Sequence, residues 1–146
     1  MSNKVATYVG VGVMRDILPL ARVFYDITVY DDGFSGFAMW QRNTYRIPVF
    51  SQFKDFMKRR RWAAMGREKV VSSDERNFFF SFDSIQGVVT HDKHKELQIL
   101  TNTEQFTIIF RSPGNYESFV EHLKSKIDNK VFNRDRVETT PSVYIS

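Results

Sequence analysis

The chain of 146 residues contains no cysteine, which excludes disulfide bonds, thiolate nucleophiles and cysteine-ligated metal centres. It also lacks any run near the roughly 20 apolar residues that a membrane-spanning helix requires. Residues 1–4 lead directly into a strand-like segment, so no signal peptide is expected. These features are compatible with a reducing compartment. We expect a cytoplasmic protein, with contact at the membrane periphery as one mode of action.

Proline is also scarce, at four residues, whereas phenylalanine is abundant, at 14. The hydrophobic share of 42% and the charged share of 26% are ordinary for a globular chain. A chain of this length is expected to fold as one domain around a single core. We therefore predict an aromatic core in a single domain over residues 1–128, followed by a flexible tail over residues 129–146.

Alternation of apolar and polar residues predicts strands in the first half of the chain. Asp31-Asp32-Gly33 is typical of a hairpin turn in which the glycine takes a positive φ. Gly10 and Gly12 lie within the first strand, where glycine permits a β-bulge or close packing. A dinucleotide-binding loop would instead need a third glycine at position 15, which is arginine, and a helix directly afterwards. The predicted strands are Val5–Val13, Arg22–Tyr30, Phe34–Trp40 and Thr44–Val49.

The second half of the chain predicts further short strands closed by one amphipathic helix. Ser112 caps this helix and Pro113 occupies its first turn. An apolar stripe from Tyr116 to Ile127 recurs at three- and four-residue spacing and is expected to pack on the sheet. The predicted strands are Val70-Val71, Phe78–Phe82, Gly87–His91, Glu96–Leu100 and Gln105–Phe110. The last three of them are expected to form a meander of antiparallel hairpins.

The run FSQFKDFMKRRRWAAMGREK, from Phe50 to Lys69, differs in character. Between Ser51 and Lys69, seven cationic residues stand against two acidic ones, and this excess of five exceeds the net charge of +4 of the whole chain. We predict an inserted helix over about residues 51–65, ended by Gly66, with a basic surface. Its apolar side comprises Phe53, Phe56, Met57, Ala63 and Ala64. If the basic surface is only a solvated face, the Phe and Met residues of the segment are expected to dock on the sheet. The candidate contact residues are Lys54, Lys58, Arg59, Arg60, Arg61, Arg67 and Lys69, with Trp62 as the apolar anchor.

Arg59, Arg60 and Arg61 cannot share one helical face, because successive helical residues are about 100° apart. Four interpretations of the basic segment remain open. The first three are a solvated face, a surface for an acidic protein, and a surface for anionic lipid with Trp62 and phenylalanine residues at the headgroup level. The fourth is nucleic-acid binding through phosphate contacts with Trp62 stacked on a base, for which a net charge of +4 is low.

No catalytic or metal-binding signature is complete in the sequence. His91 and His94 have an HxxH spacing, but a third ligand would have to come from a distant part of the chain. Turn chemistry already explains Asp31 and Asp32, and neither a nucleophile elbow nor a P-loop is present. We expect no cofactor, no metal and no enzymatic activity. An enzyme whose site cannot be read from the sequence is the remaining alternative.

The order of strand, tight turn, strand, further hairpins and one terminal helix resembles that of the pleckstrin-homology (PH) superfold. FSFDSIQGV (residues 80–88) and TNTEQFTIIFRSP (residues 101–113) are similar to runs in bacterial PH and GRAM-like domains. RVFYDITVYDDGFSGF (residues 22–37) is similar to the opening hairpin of these domains. The resemblance covers most of residues 22–127, with residues 51–65 as an insertion.

The resemblance implies a mainly β (α+β) fold. The expected architecture is an antiparallel curled sheet or partly open barrel of about seven strands, with a C-terminal capping helix. It also implies a non-catalytic module that binds lipids, phosphopeptides or proteins. Phosphoinositide-binding members use basic residues in the first hairpin, whereas this chain has the acidic Asp31-Asp32-Gly33 there. The expected function is binding of an acidic partner, a protein or an anionic membrane surface, by the basic-aromatic helix.

Overall fold

A computed structural model describes residues 3–15, 23–41 and 57–134. This part of the chain forms one open, mixed sheet of eight strands in the order β4-β3-β2-β1-β7-β6-β5-β8, with three helices. The strands are β1 (Lys4–Arg15), β2 (Val23–Tyr30), β3 (Gly33–Gln41), β4 (Phe78–Ser81), β5 (Ile85–His91), β6 (Glu96–Thr101), β7 (Gln105–Ile109) and β8 (Val131–Asn133). The helices are α1 (residues 57–63), α2 (Arg67–Ser72) and α3 (Pro113–Ile127). None of these described helices is long and apolar enough to cross a membrane.

Antiparallel hairpins build both halves of the sheet. Strands β1 to β4 pair in succession, and β5, β6 and β7 form the predicted meander. The two halves join where the end of β1, Gly12–Arg15, pairs with β7. The mainly β, α+β class predicted from the sequence is therefore confirmed.

Two glycines shape the first half of the sheet in different ways. Gly10 has a φ of 68° and lies at a bulge, where the register between β1 and β2 shifts; a bulge is one of the two features that the glycines of this strand are expected to permit. The predicted positive φ at Gly33 is wrong, because Gly10 is the one glycine with positive φ in the described ranges. Gly33 is required for a different reason: a Cβ there would lie 2.1 Å from the carbonyl oxygen of Phe80 on β4.

The main core lies between the sheet and α3. The hydroxyl of Ser112 accepts a hydrogen bond from the backbone N–H of Asn115, which confirms the predicted cap. The predicted apolar stripe of α3 is buried from Tyr116 to Ile127. Phe119 on this stripe packs edge-on against Phe34 of β3, with ring centroids 5.5 Å apart. Aromatic rings thus form much of the core, as the phenylalanine content predicts.

Three predictions for the ends and connections of the strands are wrong. Val70-Val71 belongs to α2 rather than to a strand, because Val70 is buried against a small apolar cluster. Residues 129–134 are not a tail, since β8 pairs with β5 as the one parallel pair in the described sheet. With β8 the described sheet has eight strands and is mixed, rather than about seven and antiparallel. The predicted strand Thr44–Val49 and the tail residues 135–146 lie outside the described residues.

Candidate interaction surface: the docked basic arm

The basic segment lies against the outer face of the sheet, opposite α3. We call residues 57–72 the arm; it comprises α1, a turn and α2. A second apolar cluster holds the arm to β3 and consists of Phe37, Met39, Trp62, Met65 and Val70. Every residue of β2 is buried, and the arm covers part of the outer face of this strand.

The centre of this cluster is Trp62, which is only 8% exposed. Its ring packs edge-on against Phe37, with centroids 5.2 Å apart. Of the predicted apolar side of the helix, Met57, Ala63 and Ala64 are exposed, and Phe53 and Phe56 lie outside the described residues. Trp62 docks the helix instead, so its ring is used inside the protein and not as an exposed anchor.

An ion pair fixes α1 to β2. Arg59 donates from Nε to Oδ2 of Asp26 at 2.6 Å and from Nη2 to Oδ1 at 3.1 Å. The Asp26 side chain is 8% exposed, whereas that of Arg59 is 38% exposed. Oδ1 of Asp26 also accepts the backbone N–H of Gly10 at 3.3 Å. Asp26 therefore joins the bulge of β1, the middle of β2 and the arm at one carboxylate.

Two more cations of the arm bind the sheet. Nζ of Lys58 donates to the carbonyl oxygen of Ala38 at 2.5 Å and lies 4.7 Å from the Trp62 ring centroid. Arg67 pairs through both terminal nitrogens with Asp32 in the β2–β3 turn, at 3.0 and 3.3 Å. The Arg67 guanidinium also lies 4.0 Å from the ring centroid of Phe79. Both side chains stabilise the docked position of the arm.

The remaining described cations of the segment behave differently. Arg60, Arg61 and Lys69 are exposed, and none of them makes an ion pair or side-chain hydrogen bond within the described ranges. The seven predicted contact cations thus divide into three that dock the arm and three that face solvent. The seventh, Lys54, lies outside the described residues.

Three exposed residues of the arm share one helical face, which we call the outer face of α1. Met57 is followed at three- and four-residue spacing by Arg60 and Arg61, the spacing that aligns side chains on one side of a helix. Met57 is 43% exposed. A groove of about 420 Å³ runs beside this face and is lined by residues that include Met57, Arg61 and Asp74. The outer face therefore combines two guanidinium groups with an adaptable apolar side chain.

A buried ion pair at the end of β1 could not be found from sequence patterns. Arg15 donates to the two carboxylate oxygens of Glu104 at 2.7 and 2.5 Å, and the side chains are 6% and 7% exposed. Nη1 of Arg15 also donates to the carbonyl oxygen of Arg76 at 3.0 Å, and the Tyr25 hydroxyl donates to the same oxygen at 2.7 Å. Burial would lower the pKa of Arg15, but hydrogen bonding and charge from Glu104 outweigh it and raise that pKa. The network holds the segment between α2 and β4 to the sheet.

The two histidines with HxxH spacing lie together at the β5–β6 connection. The rings of His91 and His94 meet edge to face with centroids 4.2 Å apart. Asp92 between them accepts hydrogen bonds from the Tyr116 hydroxyl at 2.5 Å and from the Asn133 amide at 2.8 Å. Within the described ranges, no group of three or more histidine, aspartate or glutamate residues is placed to hold a metal ion. Asp92 thereby ties α3 and β8 to the end of β5.

No protein-family model matches the chain, and no curated protein matches it in sequence.

Proposed function

We propose that this chain is a non-catalytic interaction module of PH-like architecture whose outer face of α1 binds an acidic segment of a protein partner. The observation that carries the proposal is the contrast within the arginine triplet. Arg59 is bonded to the buried Asp26, whereas Arg60 and Arg61 are exposed and have no described ion pair. Docking by Arg59 thus fixes a rigid helix that presents its neighbours to solvent.

The chemistry of the outer face favours a carboxylate-bearing partner. Arginine binds carboxylates through two parallel hydrogen bonds, and the two guanidinium groups lie beside the exposed Met57. A segment with neighbouring glutamate or aspartate residues and one apolar side chain complements this face. Lys69 on α2 would extend the positive surface for a longer segment.

The burial of Trp62 favours a protein over a membrane or a nucleic acid. Membrane contact would place an aromatic ring at the headgroup level, and contact with single-stranded nucleic acid would stack a ring on a base. Trp62, the ring expected to stack on a base and one of the rings expected at the headgroup level, packs against Phe37 instead. The phenylalanines of the segment, also expected at the headgroup level, lie outside the described residues. The succession of hairpins closed by α3 supports the PH-like part of the proposal, since such domains are mostly binding modules.

Three probes at one ionic strength test this function. They are a fluorescein-labelled glutamate-rich peptide with one leucine, vesicles of phosphatidylserine or phosphatidylcholine, and a labelled single-stranded oligonucleotide. We expect the chain to bind the peptide most strongly and to lose that binding when Arg60→Glu and Arg61→Glu are combined. Arg59 is left unchanged, because removing it would leave the Asp26 carboxylate buried without its cation.

The matched control is Lys124→Glu combined with Lys126→Glu, which makes the same charge change on exposed positions of α3. This control variant should lose little peptide binding, because the proposed attraction comes from the arginines of α1 and not from the net charge of the protein. Preferential binding to phosphatidylserine vesicles or to the oligonucleotide would refute the protein-partner proposal. Equal loss in the two variants, or no binding to any probe, would refute the role of the outer face.

A further inference from the structure

The first half of β1 is an open strand edge. β7 pairs only with Gly12–Arg15, so Lys4–Val9 pairs with β2 on one side and with no strand on the other within the described residues. In a strand, alternate N–H and C=O groups point to each side, so this stretch presents backbone groups on its second side that no described strand pairs with. Such an edge can accept another extended chain.

The open edge of β1 is longer than the strands at the two ends of the sheet. Natural sheets limit edge pairing with short terminal strands, and the strands at the two ends of this sheet have only four and three residues. By contrast, the open stretch Lys4–Val9 exposes two large apolar side chains, Val5 at 48% and Val9 at 56%. Ala6 and Tyr8, which alternate with them, face the core. An added strand would therefore gain both backbone hydrogen bonds and apolar contacts.

The charge beside this edge favours an acidic occupant. A groove of about 220 Å³ lies over the outer face of β1 and β2, and its charged lining residues are Lys4, Asp26, Arg59 and Arg67. The one carboxylate among them, Asp26, is already bonded to Arg59 and to the Gly10 N–H. Arg59 consequently lies above the bulge that ends the open edge, and Lys4 lies at its start. The net charge of the groove stays positive even when Asp32, the partner of Arg67, is counted with the lining residues.

We propose that the Lys4–Val9 edge of β1 binds an extended peptide segment as an added strand, with an acidic side chain of that segment directed into the groove. Strand geometry sets the sequence pattern of the ligand, because alternate side chains of the added strand would lie beside Val5 and Val9 on the outer face of the sheet. A ligand in which apolar residues alternate with at least one aspartate or glutamate fits this edge. The site is separate from Arg60 and Arg61 and does not rest on the function proposed for them.

The test begins with a phage-displayed library of random peptides selected on the full chain. We expect enrichment of peptides with alternating apolar residues and an acidic residue, and their affinity is then measured by fluorescence anisotropy. Hydrogen exchange on the same complex should show new protection of backbone amides within Lys4–Val9. In the free protein, alternate amides of this stretch should exchange faster than those of Gly12–Arg15, which pairs on both sides.

A matched pair of variants separates edge binding from general effects. Val9→Glu should weaken the selected peptides at least about tenfold, since it removes an apolar contact and repels the acidic residue. Leu100→Glu is the control, because Leu100 is 45% exposed but lies on β6, a strand paired on both sides. Combining Arg60→Glu with Arg61→Glu should leave the peptide affinity within about twofold of the original, which distinguishes this site from the outer face of α1.

Three outcomes would overturn the proposal. The first is that no peptide is enriched. The second is that protection by the selected peptides falls outside Lys4–Val9. The third is that all amides of this stretch are already protected in the free chain, which would mean that the chain itself covers the edge.

Discussion

Removing one member of the buried pair between Arg15 and Glu104 should destabilise the protein more than removing both. The two side chains are 6% and 7% exposed and are joined by two hydrogen bonds. Glu104→Met leaves the Arg15 guanidinium buried without a carboxylate, although it still donates to the Arg76 carbonyl oxygen. A buried charge that loses its partner costs about 3–5 kcal/mol. That loss is a large fraction of the roughly 5–15 kcal/mol by which a domain is stable.

The double variant Arg15→Met, Glu104→Met provides the informative comparison. Buried ion pairs replaced by apolar residues of similar volume are often neutral or stabilising, because no charge remains to be desolvated. The Arg76 carbonyl would still accept the Tyr25 hydroxyl, so no acceptor is left without a donor. We therefore expect the double variant to be within about 2 kcal/mol of the original protein.

Urea unfolding followed by circular dichroism gives the free energy of unfolding for the original chain, both single variants and the double variant. If the slope of the unfolding free energy against urea concentration is the same in all four proteins, unfolding exposes the same amount of surface in each. The reasoning is refuted if Glu104→Met costs less than about 1 kcal/mol, or if the two single costs simply add in the double variant. If a single variant fails to fold while the double variant folds, the account is supported.

Three further predictions concern the turn, the arm and the dependence on pH. Gly33→Ala should lower the free energy of unfolding by about 1–3 kcal/mol or more, because its Cβ would lie 2.1 Å from the Phe80 carbonyl oxygen. Gly87→Ala is the control, because a Cβ at Gly87 would have nothing within 4 Å. An equal loss of unfolding free energy in the two variants would contradict this reasoning. Trp62→Ala should speed amide exchange in residues 57–72 and leave β6 and β7 protected; uniform acceleration would show that the arm does not open separately. Burial raises the pKa of Tyr25, so its contribution to stability is complete below its ordinary pKa of about 10 and is lost as the pH rises further. Tyr25→Phe should therefore flatten the fall of unfolding free energy above pH 10, and an unchanged slope in urea titrations would refute this assignment.

Local patterns were sufficient to predict most of the sheet and the terminal helix. Alternation in β2 and in the β5–β7 meander, together with the Ser112 cap of α3, depends on neighbouring residues and is visible in the sequence. The parallel strand β8 was missed because three residues carry no period, and its pairing with β5 is set by residues distant in sequence. The helical state of Val70 was missed because burial in the small cluster outweighs the strand preference of valine.

The basic arm shows the limit of sequence analysis more clearly. Its position and its charge could be predicted from residues 51–69, but its rotation against the sheet could not. That rotation is fixed by a contact between Arg59 and Asp26, which are 33 residues apart, and by the fit of Trp62 on Phe37. The alternation of β2 would place Asp26 on a solvated face, whereas the arm buries it. Helical spacing alone therefore did not predict that Trp62 and Arg59 face the sheet.

The most direct test of the account is the rate at which each arginine of the native protein reacts with phenylglyoxal, measured by peptide mapping and mass spectrometry. The division of the arm into docking and solvent-facing cations predicts fast modification of Arg60 and Arg61. It predicts slower modification of Arg59 and Arg67, which are bonded to carboxylates, and the slowest reaction at the buried Arg15. Similar rates at Arg59, Arg60 and Arg61 would contradict the docked arm and with it the proposed binding face.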